Sequence, residues 1–290
     1  MLKKRVIASL LVKAGILVQS LGFKKYLPIG KPAIAVDFLN QWGIDEIILL
    51  DISATEQGRS IDSGMIRLLA KKCFVPLSVG GGINHLDHVS ELMKSGADKI
   101  VINKAAILDP EFITAIATQY GNQCVVVAID VVGNARSGYK VYDHSNHALL
   151  EMDLLQWASL IESKGAGEIF LSSVDRDGSY LGFDLELVKL VSQRVGIPVI
   201  ANSGCRNARH LGELFLQTSV SAGCAANFFH FTEHSVNVTK QYLVANGIPV
   251  RLQTHADYKD SRFDQEMRLL KKDDQVLENM LYIKIEREII

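Results

Sequence analysis

EIILLDISATEQGRSID, residues 46–62, aligns without a gap on EIFLSSVDRDGSYLGFD, residues 168–184, and the same offset of 122 sets VPLSVGGGI (75–83) on IPVIANSGC (197–205). Each copy opens with a run rich in Ile, Leu and Val that ends on polar residues and is followed by a stretch of helical period. A βα unit cannot bury its apolar faces alone, so a repeat at this spacing is explained by two half-barrels of four βα units each. Working outward, the apolar runs are 5–12, 46–51, 76–79, 99–102, 125–130, 168–172, 198–201 and 219–222. Helical stretches at 32–42, 63–72, 86–95, 110–120, 154–164, 184–194 and 209–217 separate them. Eight strands and seven intervening helices favour an α/β chain closed into a (β/α)8 TIM barrel over an open doubly wound sheet.

The rest of the chain is consistent with one barrel and an appendage. VVGNARSGYKVYDHSNHALL (131–150) breaks the rhythm and reads as a hairpin inserted after the fifth strand, with Ser145-Asn146 at its turn. His144 and His147 lie there and read as solvated, so no metal and no cofactor are expected. The barrel is assigned to residues 1–250. Residues 251–290 form a charged C-terminal extension, part of it an amphipathic helix marked by Met267, Leu270, Leu277 and Leu281. Hydrophobic residues make up 48% and charged residues 22%, which is a globular composition, and a net charge of -1 argues against nucleic acid as a partner. No apolar run reaches membrane-spanning length, the first fifteen residues are interrupted by Lys13 and read as a first strand, and the four scattered cysteines read as reduced, buried thiols. A cytoplasmic location is expected.

In a TIM barrel the chemistry sits at the C-terminal ends of the strands. Gly80-Gly81-Gly82 follows the third strand and its repeat partner Asn202-Ser203-Gly204 follows the seventh. Residues without Cβ let backbone N–H groups approach an anion, so two opposed cradles suit a small molecule with a phosphate at each end, although ordinary tight turns explain the glycines as well. Asp51, Asp130, Asp175 and Asp177 end the second, fifth and sixth strands and converge on one rim, where carboxylates serve as acids or bases. At the opposite strand ends stand Arg5, Glu46, Lys99 and Glu168. Charges entering a barrel are costly unless paired, so a ring of two cations and two anions is expected, either plugging the barrel or gating a passage.

RVIASLLVKAG, GIDEIILLDISA, VGGGI, SGADKIVINKAAI, VVAIDV, GAGEIFLSSVDRDG and AANFFHF, in this order between residues 5 and 231, closely resemble the cyclase subunit of imidazole glycerol phosphate synthase, a lyase of histidine biosynthesis. That family takes ammonia from a glutaminase docked at the N-terminal face, passes it through the barrel, and cleaves and cyclises a bisphosphate. The resemblance implies that Asp130 is an acid/base residue. It places Gly81, Gly82 and Asn103 in one phosphate site, and Gly178, Gly204 and Asn227 in the other. It makes Arg5, Glu46, Lys99 and Glu168 an ammonia gate and Asp98 part of the glutaminase contact.

The departures from the family pattern are as informative. The family ends its first strand on a second catalytic aspartate, and this chain has Leu11 there. Gln19 replaces a lysine of the first loop, Ala14 an acidic residue, and Ser203 and Asn227 alter the second cradle. Leucine moves no proton, and losing one positioned acid/base group costs roughly 10²- to 10⁴-fold in rate. The chain is therefore most similar to paralogues of the subunit that accompany an amidotransferase making acetamidino groups on sugars of bacterial surface polysaccharide. The alternatives are an authentic cyclase that tolerates Leu11 and a related phosphosugar isomerase barrel, which also needs the missing aspartate.

Overall fold

The computed structural model describes residues 3–231, 234–252, 261–265, 269–273 and 275–276. Its elements are β1 (Arg5–Lys13), β2 (Ile16–Leu21), β3 (Lys25–Gly30), α1 (Pro32–Gln41), β4 (Glu46–Asp51), α2 (Ser63–Ala70), β5 (Leu77–Gly80), α3 (Leu86–Lys94), β6 (Lys99–Ile102), α4 (Lys104–Leu108) and α5 (Glu111–Tyr120). They continue with β7 (Val125–Asn134), β8 (Gly138–Asp143), β9 (Ala148–Leu149), α6 (Leu154–Ser163), β10 (Glu168–Ser173), α7 (Leu185–Arg194), β11 (Val199–Asn202), α8 (Ala208–Gln217), β12 (Ala222–Ala225), α9 (Asn227–His230) and α10 (Ser235–Ala245).

Eight of the strands pair in parallel around a closed ring, β1-β4-β5-β6-β7-β10-β11-β12 and back to β1. The chain is thus a (β/α)8 barrel. Both faces of each strand are buried, one against the helices and one against the barrel axis, so the strands read as unbroken apolar runs. The pleat still sorts the side chains. On β1, Val6, Ala8, Leu10 and Val12 join the outer core with residues of the helices, while Ile7 belongs to a separate inner cluster with Ile48, Val101, Val126, Ala128, Phe170, Ile200, Ala222 and Cys224. Four helices start at an Asp or Asn whose side chain accepts an N–H of the first turn: Asp62 from Gly64, Asp153 from Gln156, Asp184 from Leu187 and Asn207 from His210.

Three expectations need correction. The eighth strand is Ala222–Ala225, not 219–222, because its register is set by pairing with Arg5–Ala8 and the AGCA stretch carries no bulky residue to mark it. The insertion is a meander: β8 pairs back on β7 across a turn at Asn134–Gly138, and Ser145-Asn146 occupy a second turn before β9, held by the Asp143 carboxylate. Cys205 and Cys224 are buried but Cys73 and Cys124 only partly so; all four are free. The segment after β1 forms the antiparallel hairpin β2–β3. No helix among the described residues is long and apolar enough to cross a membrane.

Of the tail, Met267, Leu277 and Leu281 lie outside the described residues, while Leu270 is exposed. The stretch 261–265 rests on the barrel, with Gln265 O accepting from Arg209 at 2.8 Å and the Phe263 ring 6.1 Å from that of Tyr242.

The ring is locked at its N-terminal face by a buried cation. Lys240 of α10 is 1% exposed, and its Nζ lies 2.6 Å from both Asp45 Oδ1 and the carbonyl of Gly43. Arg251 Nε reaches the same carboxylate oxygen at 3.0 Å, and Asp45 Oδ2 accepts the N–H of Val6 at 2.8 Å. Burial lowers the Lys240 pKa and the Asp45 carboxylate opposes that shift. Removing one member of a buried pair leaves an uncompensated charge. Asp45→Ala is therefore expected to cost about 3–5 kcal/mol in urea unfolding; a loss below 1 kcal/mol would show that Lys240 is not held charged there.

Candidate active site

Both ends of the barrel carry polar chemistry. At the N-terminal end the four charged residues at the strand starts form a closed square. Arg5 reaches Glu46 at 2.7 Å and Glu168 at 3.0 Å, and Lys99 reaches Glu46 at 2.9 Å and Glu168 at 3.2 Å. Ser78 Oγ adds a donor to Glu46 at 2.8 Å, which leaves that nearly fully buried carboxylate with three partners. Asp98 is exposed just outside the square, and its carboxylate accepts the N–H of Leu77 at 2.8 Å. Above the square the axis is lined by the inner apolar cluster, including Cys224, whose thiol burial pushes well above its ordinary pKa.

At the C-terminal end a cavity of about 620 Å³ opens, and Leu11, Asp51, Gly81, Gly82, Asn103, Asp130, Asp177, Gly178, Gly204 and Asn227 all line it. Leu11 and Asp130 stand on β1 and β7, four strands apart in either direction round a ring of eight, so they face each other across the mouth. Asp130 is 7% exposed; Asn103 Nδ2 donates to its Oδ2 at 2.8 Å, and His144 Nδ1 lies 3.5 Å from the same oxygen. Asp130 beside it raises the pKa of the His144 imidazole, against the effect of burial. His144 is therefore not the solvated residue that its polar surroundings in the sequence suggest.

The other rim acids have structural duties. Asp51 accepts from Ser53 N and Oγ and is paired with Arg59 at 2.8 Å. Asp177 holds the β2–β3 hairpin through Ser20 Oγ at 2.6 Å and Phe23 N at 3.1 Å, with a pKa raised by burial. Asp175 does not line the cavity; it is exposed and caps Gly133 N. Gln19 Nε2 bonds Tyr180 OH at 3.0 Å, and Asn227 Nδ2 donates to Ser20 O at 2.8 Å, so the first hairpin is fastened across the mouth.

The two glycine loops differ. A Cβ on Gly82 would lie 1.8 Å from the carbonyl oxygen of Arg59, so only glycine fits there. Gly81, at φ +125, corresponds by the repeat to Ser203, which keeps a left-handed backbone at φ +84 despite its side chain. Among the described residues, Ser203 Oγ is buried without a partner, as is Asn227 Oδ1 beside the same cradle. Lys13, Lys24, Arg59 and Lys104 also line the cavity and bring positive charge to it, with Arg59 paired to Asp51. Sequence reading missed these because they lie at the end of β1, at the start of α4 and in two loops, with no motif of their own.

The profile of the histidine biosynthesis protein family matches residues 5–235. A protein of Vibrio vulnificus, provisionally named imidazole glycerol phosphate synthase subunit hisF2, is 44% identical over 266 residues, covering 91% of this chain and 97% of its own. The imidazole glycerol phosphate synthase subunit HisF of Clostridium botulinum is 43% identical over 255 residues, covering 87% of this chain and all of its own.

The chain belongs to the histidine biosynthesis protein family.

Within that family it is a HisF-like barrel, and its second cradle carries a measurable cost. A non-glycine residue at positive φ is strained by about 1–3 kcal/mol, and an unpaired buried hydroxyl adds to this. Ser203→Gly relieves both and loses part of the gain to the greater freedom of the unfolded chain. We expect a net stabilisation of about 1 kcal/mol, seen as a rise in Tm of a few degrees. Destabilisation by Ser203→Gly would mean that the hydroxyl has a partner in solution.

Proposed function

We propose that this chain is the ammonia-using subunit of a glutamine-dependent pair. A glutaminase docks at the N-terminal face around Asp98, ammonia enters through the Arg5–Glu46–Lys99–Glu168 square, and a phosphorylated molecule is held in the cavity at the other end. Cyclisation of the family's bisphosphate is curtailed. The observation that carries this reading is the asymmetry between the ends: a complete square of ion pairs below and Leu11 facing Asp130 above. An acid/base pair that works across a mouth needs two titratable members, and one here is an alkyl group. The finer reading is that the ammonia serves to convert a sugar N-acetyl group to an acetamidino group, with a sugar amidotransferase as a third partner.

One observation favours the second reading, an authentic cyclase. Both cradles, Asn103 and Asp130 still open on one continuous cavity of about 620 Å³, large enough for a small bisphosphate.

The two readings separate in an ammonia-supported assay with the bisphosphate. On the first, wild-type turnover lies at least about 10²-fold below that of a two-carboxylate enzyme, and Leu11→Asp recovers part of it. Recovery is incomplete because Gln19 and the altered second cradle act with the pair as a unit. Wild-type turnover of about 1 per second or faster would restore the cyclase assignment.

The docking face is tested by Asp98→Lys, which reverses a charge at the proposed contact. Binding of the cognate glutaminase, followed by calorimetry, is expected to weaken by about 10-fold or more; unchanged affinity places the partner elsewhere.

A further inference from the structure

The cavity lost a carboxylate on one wall and holds an imidazole on another. We propose that His144, paired with Asp130, is the second proton-transfer group of this site and takes over part of the work that Leu11 cannot do. This deepens the reading above, since it assumes that a phosphorylated substrate and ammonia meet in this cavity.

Four observations support it. His144 lines the cavity, and its Nδ1 is 3.5 Å from Asp130 Oδ2. That is an ion-pair distance, longer than a good hydrogen bond, and pairs of this kind tighten when a substrate fills the site. The turn carrying His144 is built rather than loose: Asp143 Oδ1 accepts from Ser145 N at 2.9 Å and Ser145 Oγ at 2.7 Å, and Asp143 Oδ2 from Asn146 Nδ2 at 2.7 Å. The partner carboxylate is held by Asn103, whose Nδ2 donates at 2.8 Å to the same Oδ2 that faces His144. Finally, the rival carboxylates are engaged, Asp51 with Arg59 and Asp177 with the first hairpin. The acidic groups facing His144 are Asp130 on β7, Asp143 in its own turn and Glu56 from the loop after β4, and each raises its pKa. A histidine so placed is protonated further into the neutral range than a free one and is suited to act as an acid.

The proton balance closes without another reactant. The imidazolium, with Nδ1–H directed to Asp130, gives its Nε2 proton to the leaving atom as that atom's bond to carbon breaks. The ring regains a proton from the ammonia nitrogen as that nitrogen forms its new bond to carbon. In this exchange Asp130 holds the ring, as an orienting carboxylate does for a catalytic histidine.

The test compares ammonia-dependent turnover of the bisphosphate by wild type, His144→Gln, Leu11→Asp and the double variant, with substrate binding measured by calorimetry on each. His144→Gln is expected to lower kcat by about 10²-fold with little change in KM, and to remove the fall in rate that wild type shows as pH rises through the His144 pKa. In the Leu11→Asp background the same substitution should cost far less, because a carboxylate now shares the duty. Free imidazole should restore part of the rate of His144→Ala, which a purely structural residue would not allow. Equal losses in both backgrounds, or an unchanged kcat and pH profile in His144→Gln, overturn the proposal. If wild type binds the bisphosphate but turns none of it over, the proton-transfer role of His144 fails while the ammonia-handling reading stands. If the bisphosphate does not bind at all, the reading itself fails and this assignment with it.

Discussion

Closing eight strands into a ring forces every second side chain of each strand toward one axis, and nearly everything about this molecule follows from what occupies that axis at each level. On β1 the inward series is Arg5, Ile7, Ser9 and Leu11, and on β10 it is Glu168, Phe170 and Ser172. At a rise of about 3.3 Å per residue, Arg5 and Leu11 are separated by roughly 20 Å along the strand. One column therefore places a charge at the floor, an apolar plug in the middle and the mouth residue at the top. A slip of one residue would send all of these to the helical face and bring Val6, Leu10 and Val12 inward. The parallel ladder that fixes Arg5 against Ala222 and Ile7 against Glu46 thus sets the square and the cavity together.

The two charged ends solve desolvation differently. At the floor the charges neutralise each other, each cation touching both anions. Such an arrangement adds little net stability but strongly penalises loss of any one member. At the mouth the acids are held by loops: Asp51 by the turn carrying Ser53 and Arg59, Asp177 by the first hairpin, Asp143 by its own turn. Asp130 differs from them, because its contacts are an amide and an imidazole that both face the cavity. A rim rich in aspartate is for the most part scaffolding, and the residue with chemical freedom is identified by its partners.

Much of this was legible in the sequence, because the repeat and the polar residues ending each apolar run are local signals. EIILLD and EIFLSS locate two strands, and the offset between them locates the cradles. The structure departs from the reading where the signal is weak or non-local. AGCA carries only small side chains, so its register is fixed by β1 and not by its own pattern. ILVQSL and KYLPIG belong to a loop by their place in the repeat, yet pair as β2 and β3 because Asp177, far along the chain, anchors their turn. His144 sits in a polar stretch that reads as solvated; its meeting with Asp130 depends on β8 folding back along β7, a long-range fact that no window of sequence contains.

The duplication also explains why the two cradles are unequal. Gly81 and Ser203 occupy equivalent points of the two halves with backbones of the same hand, so the inherited turn demands positive φ at both. In the first half glycine meets that demand freely. In the second half serine accepts strain and brings a hydroxyl, with Asn227 beside it, into a cradle that backbone amides would otherwise fill. Strain of about 1–3 kcal/mol persists only where the surrounding structure imposes it, and here the next residue, Gly204, accepts the N–H of Gly182 at 2.8 Å and lies so close that a Cβ on it would come within 2.2 Å of the Gly182 carbonyl oxygen. The two ends of the cavity therefore differ, with glycine backbone lining one and the neutral side chains of Ser203 and Asn227 lining the other. Leu11, Ser203 and Asn227 are gathered on the half of the cavity that contains β1, β12 and the fastened first hairpin, while the half built by β5, β6 and β7 carries Gly81, Gly82, Asn103 and Asp130.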